Sequence, residues 1–140
     1  MMMDSSRPEV ASSLLPIRTP EDIVLVRTAV RKAALGIKFG LVDQTKLVTA
    51  ASEIARNTLD YGGGGTVAIE LLQDPKTGVR LRFEDQGPGI ANIDLALTDG
   101  WSSGNGMGLG LTGTRRLMDD FDLASKLGEG TTVTITKWSR

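Results

Sequence analysis

Five glycines fall within ten residues between Gly104 and Gly113, in the stretch GNGMGLGLTG. Glycine carries the largest backbone entropy cost of ordering, so a run like this interrupts regular structure and lets the backbone approach a ligand closely. It also contains GLGLTG, a literal G-x-G-x-x-G at Gly108, Gly110 and Gly113. That pattern marks a dinucleotide-binding turn only when a strand precedes it, a helix follows and an acid lies about 20 residues on. A helix is expected downstream and Glu129 can serve as the acid. The preceding ALTDGWSSGNGM, however, shows neither alternation nor a β-branched run. A phosphate loop with G-K-[ST] is also absent from the chain. The glycines must serve something else.

The chemistry open to the chain is narrow. Its 140 residues contain no cysteine and no histidine, which removes thiol chemistry, disulfides, Ser-His and Cys-His pairs and nearly every zinc site. Acid–base work at neutral pH falls to a carboxylate, a lysine or Tyr61, the one tyrosine. A net charge of −1 offers no electrostatic footprint for nucleic acid or an anionic membrane. The apolar runs fall short of the roughly 20 residues a membrane span needs. The start, MMMDSSRPEVASSLLP, lacks a basic segment followed by an apolar one. The expectation is a cytoplasmic protein with a poorly ordered lead-in over residues 1–16 and one domain over 17–140.

Ile23, Val26, Val30, Ala33 and Ile37 recur at helical spacing. Thr19 is placed as N-cap, Pro20 as the first helical residue and Gly40 as the stop. A second helix is expected from Asp43 to Tyr61, ended by Gly62 to Gly65. TVAIELLQ and VRLRFED alternate and form a predicted hairpin across DPKTG. A short helix is expected around Ile93 to Leu97 and a third main helix over LGLTGTRRLMDDF, using Leu111, Leu117, Met118 and Phe121. DLASKL and TTVTITKW then pair around GEG. Two strand pairs with three helices predict an α/β two-layer sandwich, its helices on one face of a mostly antiparallel, mixed sheet.

Four local patterns could carry chemistry. Glu53 and Asn57, one turn apart, project side by side, with Thr49 and Asp60 near the same line. The apolar stripe Leu47, Ala51, Ile54, Thr58 lies roughly 80–120° away. The pair therefore borders the buried face, where it lines either a cleft or an ordinary solvated edge. Asp85-Gln86-Gly87-Pro88-Gly89 ends a strand, and reads equally as a turn or as a backbone opened for a ligand. Gly128-Glu129-Gly130-Thr131 reads locally as a plain hairpin turn. The opening glycine loop feeds a helix, where backbone N–H groups favour phosphate.

The order E-x-x-x-N, D-x-G-x-G, G-x-G-x-G, G-x-G-T resembles the four nucleotide boxes of the GHKL superfamily, which has the Bergerat ATP-binding fold. DNA gyrase, heat-shock chaperone ATPases, MutL and histidine kinases belong to it. From about Ile17 to Trp138 the chain resembles the small stand-alone serine kinases of partner-switching (stressosome) pathways. VDQTKLVTAASEIARNTLDY, FEDQGPGI, DGWSSGNGMGLGL and GTRRLMDDFDLASKLGEGT carry that likeness.

The resemblance implies ATP and Mg²⁺ as cofactors. It assigns Glu53 as the catalytic base and Asn57 as the Mg²⁺ ligand. Asp85 would accept a hydrogen bond from the adenine amino group, Gly87 and Gly89 would let the purine lie against the chain, and Thr131 would support it. Gly104, Gly106, Met107, Gly108, Leu109 and Gly110 would form the lid over the phosphates. The lid carries no basic residue, which leaves Arg56 as the best placed cation for the γ-phosphate, with a surface salt bridge as its other reading. Implied partners are STAS-domain antagonist or scaffold proteins and a downstream phosphatase or other output protein. The alternative is a non-catalytic, nucleotide-dependent binding module or an anti-sigma factor that sequesters its partner by contact.

Overall fold

The computed structural model describes residues 11–73, 76–90 and 110–139. The helix expected around Ile93 to Leu97 and most of the glycine lid lie outside them.

The first helix, α1 (Pro20–Gly36), begins where its caps require. Thr19 Oγ1 accepts from Asp22 N at 3.2 Å while the Asp22 carboxylate accepts from Thr19 N at 3.1 Å, a reciprocal box that satisfies two orphan donors. It ends earlier than the glycine pattern suggested. Lys38 N donates to Leu35 O and Phe39 N to Ala34 O, both at 3.0 Å, and Lys38 takes φ +64°. This is a Schellman closure with lysine where glycine is usual. Burial of Phe39, 5% exposed, explains the early reversal, because only a turn at Lys38 swings that ring into the core. Gly40, expected as the stop, instead precedes the second helix α2 (Leu41–Asp60) as its N-cap.

The sheet has five strands in the order β1-β2-β3-β5-β4. They are β1 (Ala11–Ile17), β2 (Gly65–Leu72), β3 (Gly78–Asp85), β4 (Asp120–Lys126) and β5 (Gly130–Trp138). All pairings among the described residues are antiparallel. Residues 11–16, expected as part of a lead-in, are thus an edge strand, with Ile17 pairing to Gly65 and fully buried. ASSLLPI lacks strict alternation and contains Pro16, which an edge position tolerates because its missing N–H faces no neighbour.

One face of the sheet meets the helices. Val79, Leu81 and Phe83 of β3 and Val133 and Ile135 of β5 point inward against Leu47, Ala51, Ile54 and Ala55 of α2. Val26, Val30 and Ala34 of α1 complete the same core.

The third main helix is shorter than predicted: α3 spans Leu111–Leu117, and Met118 is already extended at φ −105°, ψ 156°. Phe121 belongs to β4, paired with Ile135. Tertiary contacts override the helical spacing here. Asp119 accepts from Trp138 N at 2.7 Å, and Asp120 accepts from Trp138 Nε1 at 2.9 Å. Beside this corner the Lys137 ammonium, 3% exposed, lies 3.6 Å from the Asp43 carboxylate and 3.7 Å from that of Asp119. The end of β5 is thereby tied to both α2 and the α3–β4 turn.

Candidate active site

The site forms where the C-terminal half of α2 passes over the ends of β3 and β5. Seven residues of α2 are buried, Leu47, Val48, Ala50, Ala51, Ile54, Ala55 and Thr58. Glu53 and Asn57 stand at the border of that stripe, half-buried, as their spacing predicts. Asn57, with Ile54, Thr58 and Tyr61, lines a narrow cleft. Phe83 and Asp85 close it from β3, Thr131 and Val133 from β5, Leu123 from β4, and Ile90 and Leu111 from the flanking segments. The walls are apolar and the polar groups few, the usual composition of a small-molecule site.

Asp85 is the charged group of the cleft lining, only 9% exposed. Burial raises its carboxyl above the ordinary aspartate range, against the lowering effect of backbone hydrogen bonds from Gly87 and Thr131. The Gly87 N–H donates to Oδ1 at 2.9 Å. Two glycines make room for this arrangement. A Cβ on Gly62 would lie 2.6 Å from Asp85 Oδ2, and one on Gly87 would lie 2.6 Å from Gly62 O. Gly62 therefore belongs to the site, a role the glycine run hides because it reads simply as a chain break.

Gly89 adopts φ +75° and its carbonyl accepts from the Tyr61 hydroxyl at 3.0 Å. The loop from Gly87 to Ile90 is thus pinned to α2. Tyr61, singled out in the sequence only as a titratable residue, is the clamp. Ser125 was not singled out at all. Its hydroxyl accepts from Ile90 N at 2.7 Å and lies 2.8 Å from Thr131 Oγ1.

Glu53 sits one turn toward the N-terminus of α2 from Asn57, outside the lining of the Asp85 cleft and beside Gly110. A Cβ at Gly110, itself at φ +67°, would lie 2.6 Å from Glu53 Cγ. Gly110 thus lets the start of α3 close onto the carboxylate. Arg56 is exposed, and its Nη1 lies 3.8 Å from Glu53 Oε1 rather than in the cleft. Gly104, Gly106, Met107, Gly108 and Leu109 lie outside the described residues.

ATP and Mg²⁺ fit the donor set in different ways. The cleft offers a purine apolar walls and a buried carboxylate acceptor. Among the described residues there is no cluster of three acidic or histidine side chains to cage a metal. Magnesium commonly keeps several waters and binds through one or two protein oxygens plus phosphates, so a single side-chain oxygen, which Asn57 would supply, suits it.

Residues 42–139 match the model of the histidine kinase-, DNA gyrase B- and HSP90-like ATPase family. The chain is 46% identical over 129 residues to the serine/threonine-protein kinase RsbT of Bacillus subtilis, an alignment covering 91% of this chain and 97% of that one. It is 31% identical over 104 residues to the anti-sigma F factor of Anoxybacillus flavithermus, covering 69% and 70% of the two chains. The crystal structure of the RsbU and RsbW domains of a Mycobacterium tuberculosis protein superposes with a TM-score of 0.64 at 24% identity, covering 94% of this chain and 33% of that one. That last likeness is one of fold. The expected α/β sandwich with a Bergerat nucleotide fold is what the chain adopts, and it is a member of the histidine kinase-, DNA gyrase B- and HSP90-like ATPase family.

Proposed function

We propose that this chain is an ATP-dependent protein serine/threonine kinase of a bacterial partner-switching pathway. Its substrates would be STAS-domain antagonist or scaffold proteins of the RsbS and RsbR kind, and a phosphatase or other output protein would be its second partner. The 46% identity to a serine/threonine-protein kinase over nearly the full length of both chains supports the activity. The observation that carries the site is the convergence of Asp85, Asn57 and Thr131 on one cleft, with Glu53 one helical turn beyond. No helix of the described residues is long and apolar enough to cross a membrane, which accords with work in the cytoplasm.

In this reading Asp85 accepts from the adenine amino group, and the Thr131 side of the cleft supports the ring. Asn57 would hold Mg²⁺, which would supply positive charge to offset that of the phosphates. The Glu53 carboxylate takes the proton of the acceptor hydroxyl. The hydroxyl oxygen forms its bond to the γ-phosphorus as the bridging P–O bond breaks, leaving ADP. Glu53 gains the proton, and the acceptor gains the phosphoryl group. Arg56, 3.8 Å from Glu53, is placed as the counter-ion of the base, and Gly104 to Gly110 would cover the phosphates.

The test incubates the protein and Glu53→Gln with Mg·ATP and a STAS-domain protein, following phosphoryl transfer and ATP affinity separately. Loss of a general base costs about 10²–10⁴-fold in rate. Glu53→Gln should fall in that range with ATP affinity held, and equal rates would remove Glu53 from the chemistry. ATP binding without transfer by the unmodified protein would favour a nucleotide-dependent binding module.

A further inference from the structure

Ser125 is a hub that the nucleotide boxes do not contain. Its hydroxyl makes three close polar contacts: Ile90 N at 2.7 Å, Gly130 O at 3.0 Å and Thr131 Oγ1 at 2.8 Å. A serine hydroxyl has one proton to give and two lone pairs to receive with. The Ile90 N–H can only donate, so it occupies one lone pair. The Gly130 carbonyl can only accept, so it takes the serine proton. The contact to Thr131 is then a hydrogen bond only if Thr131 donates into the remaining lone pair of Ser125. No other assignment satisfies all three.

The consequence lies on the cleft side. With its proton committed to Ser125, the Thr131 hydroxyl faces the cleft with lone pairs alone. Asp85, held by backbone N–H groups of Gly87 and Thr131, likewise accepts when ionised. Asp85 and Thr131, which are register partners and both line the cleft, therefore present acceptors. Adenine carries an amino donor at its six position, where guanine carries a carbonyl acceptor. We infer that Ser125 is a positioning residue that fixes the polarity of the Thr131 hydroxyl and so contributes to selection of a 6-amino purine over a 6-oxo purine. This deepens the reading of the cleft as an ATP site and rests on it.

ATP and inosine triphosphate suit the test, since hypoxanthine carries a 6-oxo acceptor beside an N1–H donor where adenine carries a 6-amino donor beside an unprotonated N1. Affinities of both are measured by titration calorimetry with Mg²⁺ for the unmodified protein, Ser125→Ala, Ser125→Thr and Thr131→Val, with thermal unfolding as the fold control. Without Ser125 the Thr131 proton is free to turn into the cleft and meet a 6-oxo group. The ATP-to-ITP affinity ratio should drop about tenfold in Ser125→Ala, the worth of one hydrogen bond at the upper end of its usual range. Ser125→Thr, which keeps the hydroxyl, should restore the ratio. Thr131→Val, which deletes the acceptor itself, should lower it with Ser125 intact, so the idea stays testable if Ser125→Ala folds poorly. Equal weakening of both nucleotides in Ser125→Ala and Thr131→Val would show a merely structural hub and overturn the inference. An unmodified protein that does not prefer ATP would overturn the Asp85 reading and this one together. A selective protein whose ratio ignores Ser125 and Thr131 would overturn this one alone.

Discussion

Replacing Asp85 by asparagine separates the binding role of this residue from its effect on the fold. Asparagine has nearly the shape of aspartate, so the tight approach of Gly62 and Gly87 is preserved. The backbone N–H groups of Gly87 and Thr131 need an acceptor, which holds the amide oxygen toward them and turns the NH₂ into the cleft. An adenine amino group then meets a donor instead of an acceptor. A hydrogen bond to a charged group is worth about 1.5–3 kcal/mol, which corresponds to a loss of roughly 10- to 150-fold in ATP affinity. Stability should move the other way. Burial raises the Asp85 carboxyl pKa, so the folded state binds the proton more tightly than the unfolded one does. By linkage the contribution of Asp85 to stability is greatest below the ordinary aspartate value of 3.8 and is lost as pH rises through the raised one. Asparagine does not ionise, so Asp85→Asn should be at least as stable at neutral pH, with the gap closing in acid. Calorimetric titration with Mg·ATP gives the first quantity, and urea melts at pH 7 and pH 4 give the second. Unchanged ATP affinity would refute the adenine assignment, while a loss of stability confined to neutral pH would refute the argument from burial.

Two further substitutions test the surroundings. Gly62→Ala puts a methyl against the Asp85 carboxylate. Overpacking of this kind costs about 1–3 kcal/mol, so the urea midpoint should fall, and ATP affinity should fall with it. A neutral result would mean that Gly62 is only a chain break. Lys38→Gly relieves a left-handed conformation that costs an L-residue roughly 1–2 kcal/mol, less the extra entropy of unfolded glycine. A net gain of about 0.5–1 kcal/mol is expected with phosphoryl transfer unchanged, and destabilisation would show that the lysine side chain contributes more than its backbone costs.

The sequence carries the site better than it carries the ends of the elements. Thr19 and Pro20 announce α1 because capping is local chemistry, decided within four residues. Glu53 and Asn57 are legible because a helix repeats at a known angle, so their position beside the buried stripe follows from spacing alone. Three features resist such reading, each for a tertiary reason. Strand β1 is invisible because ASSLLPI becomes a strand only by adding to the edge of β2. The stop at Gly40 is misplaced because Phe39 needs a turn at Lys38, and nothing local says where that ring is buried. The third helix is overextended because Phe121 fits its spacing equally well in β4, and pairing with Ile135 decides the matter. Gly62 and Ser125 are missed because their roles exist only between segments far apart in the chain.

Glu53 and Asn57 on α2 and Tyr61, its C-cap, follow one another at steps of four, and this makes that helix the ruler of the site. Each step advances about 6 Å along the axis and returns to nearly the same face. Tyr61 clamps the carbonyl of Gly89, and so fixes the loop that follows Asp85 to the C-terminal end of the ruler. Asn57 stands one turn back at the cleft wall, and Glu53 one turn further, against Gly110. Ile90 therefore stands near one end of the ruler and Gly110 at the other. Within GNGMGLGLTG, the described Gly110 takes a left-handed turn hard against Glu53, a place where any larger residue would displace the carboxylate.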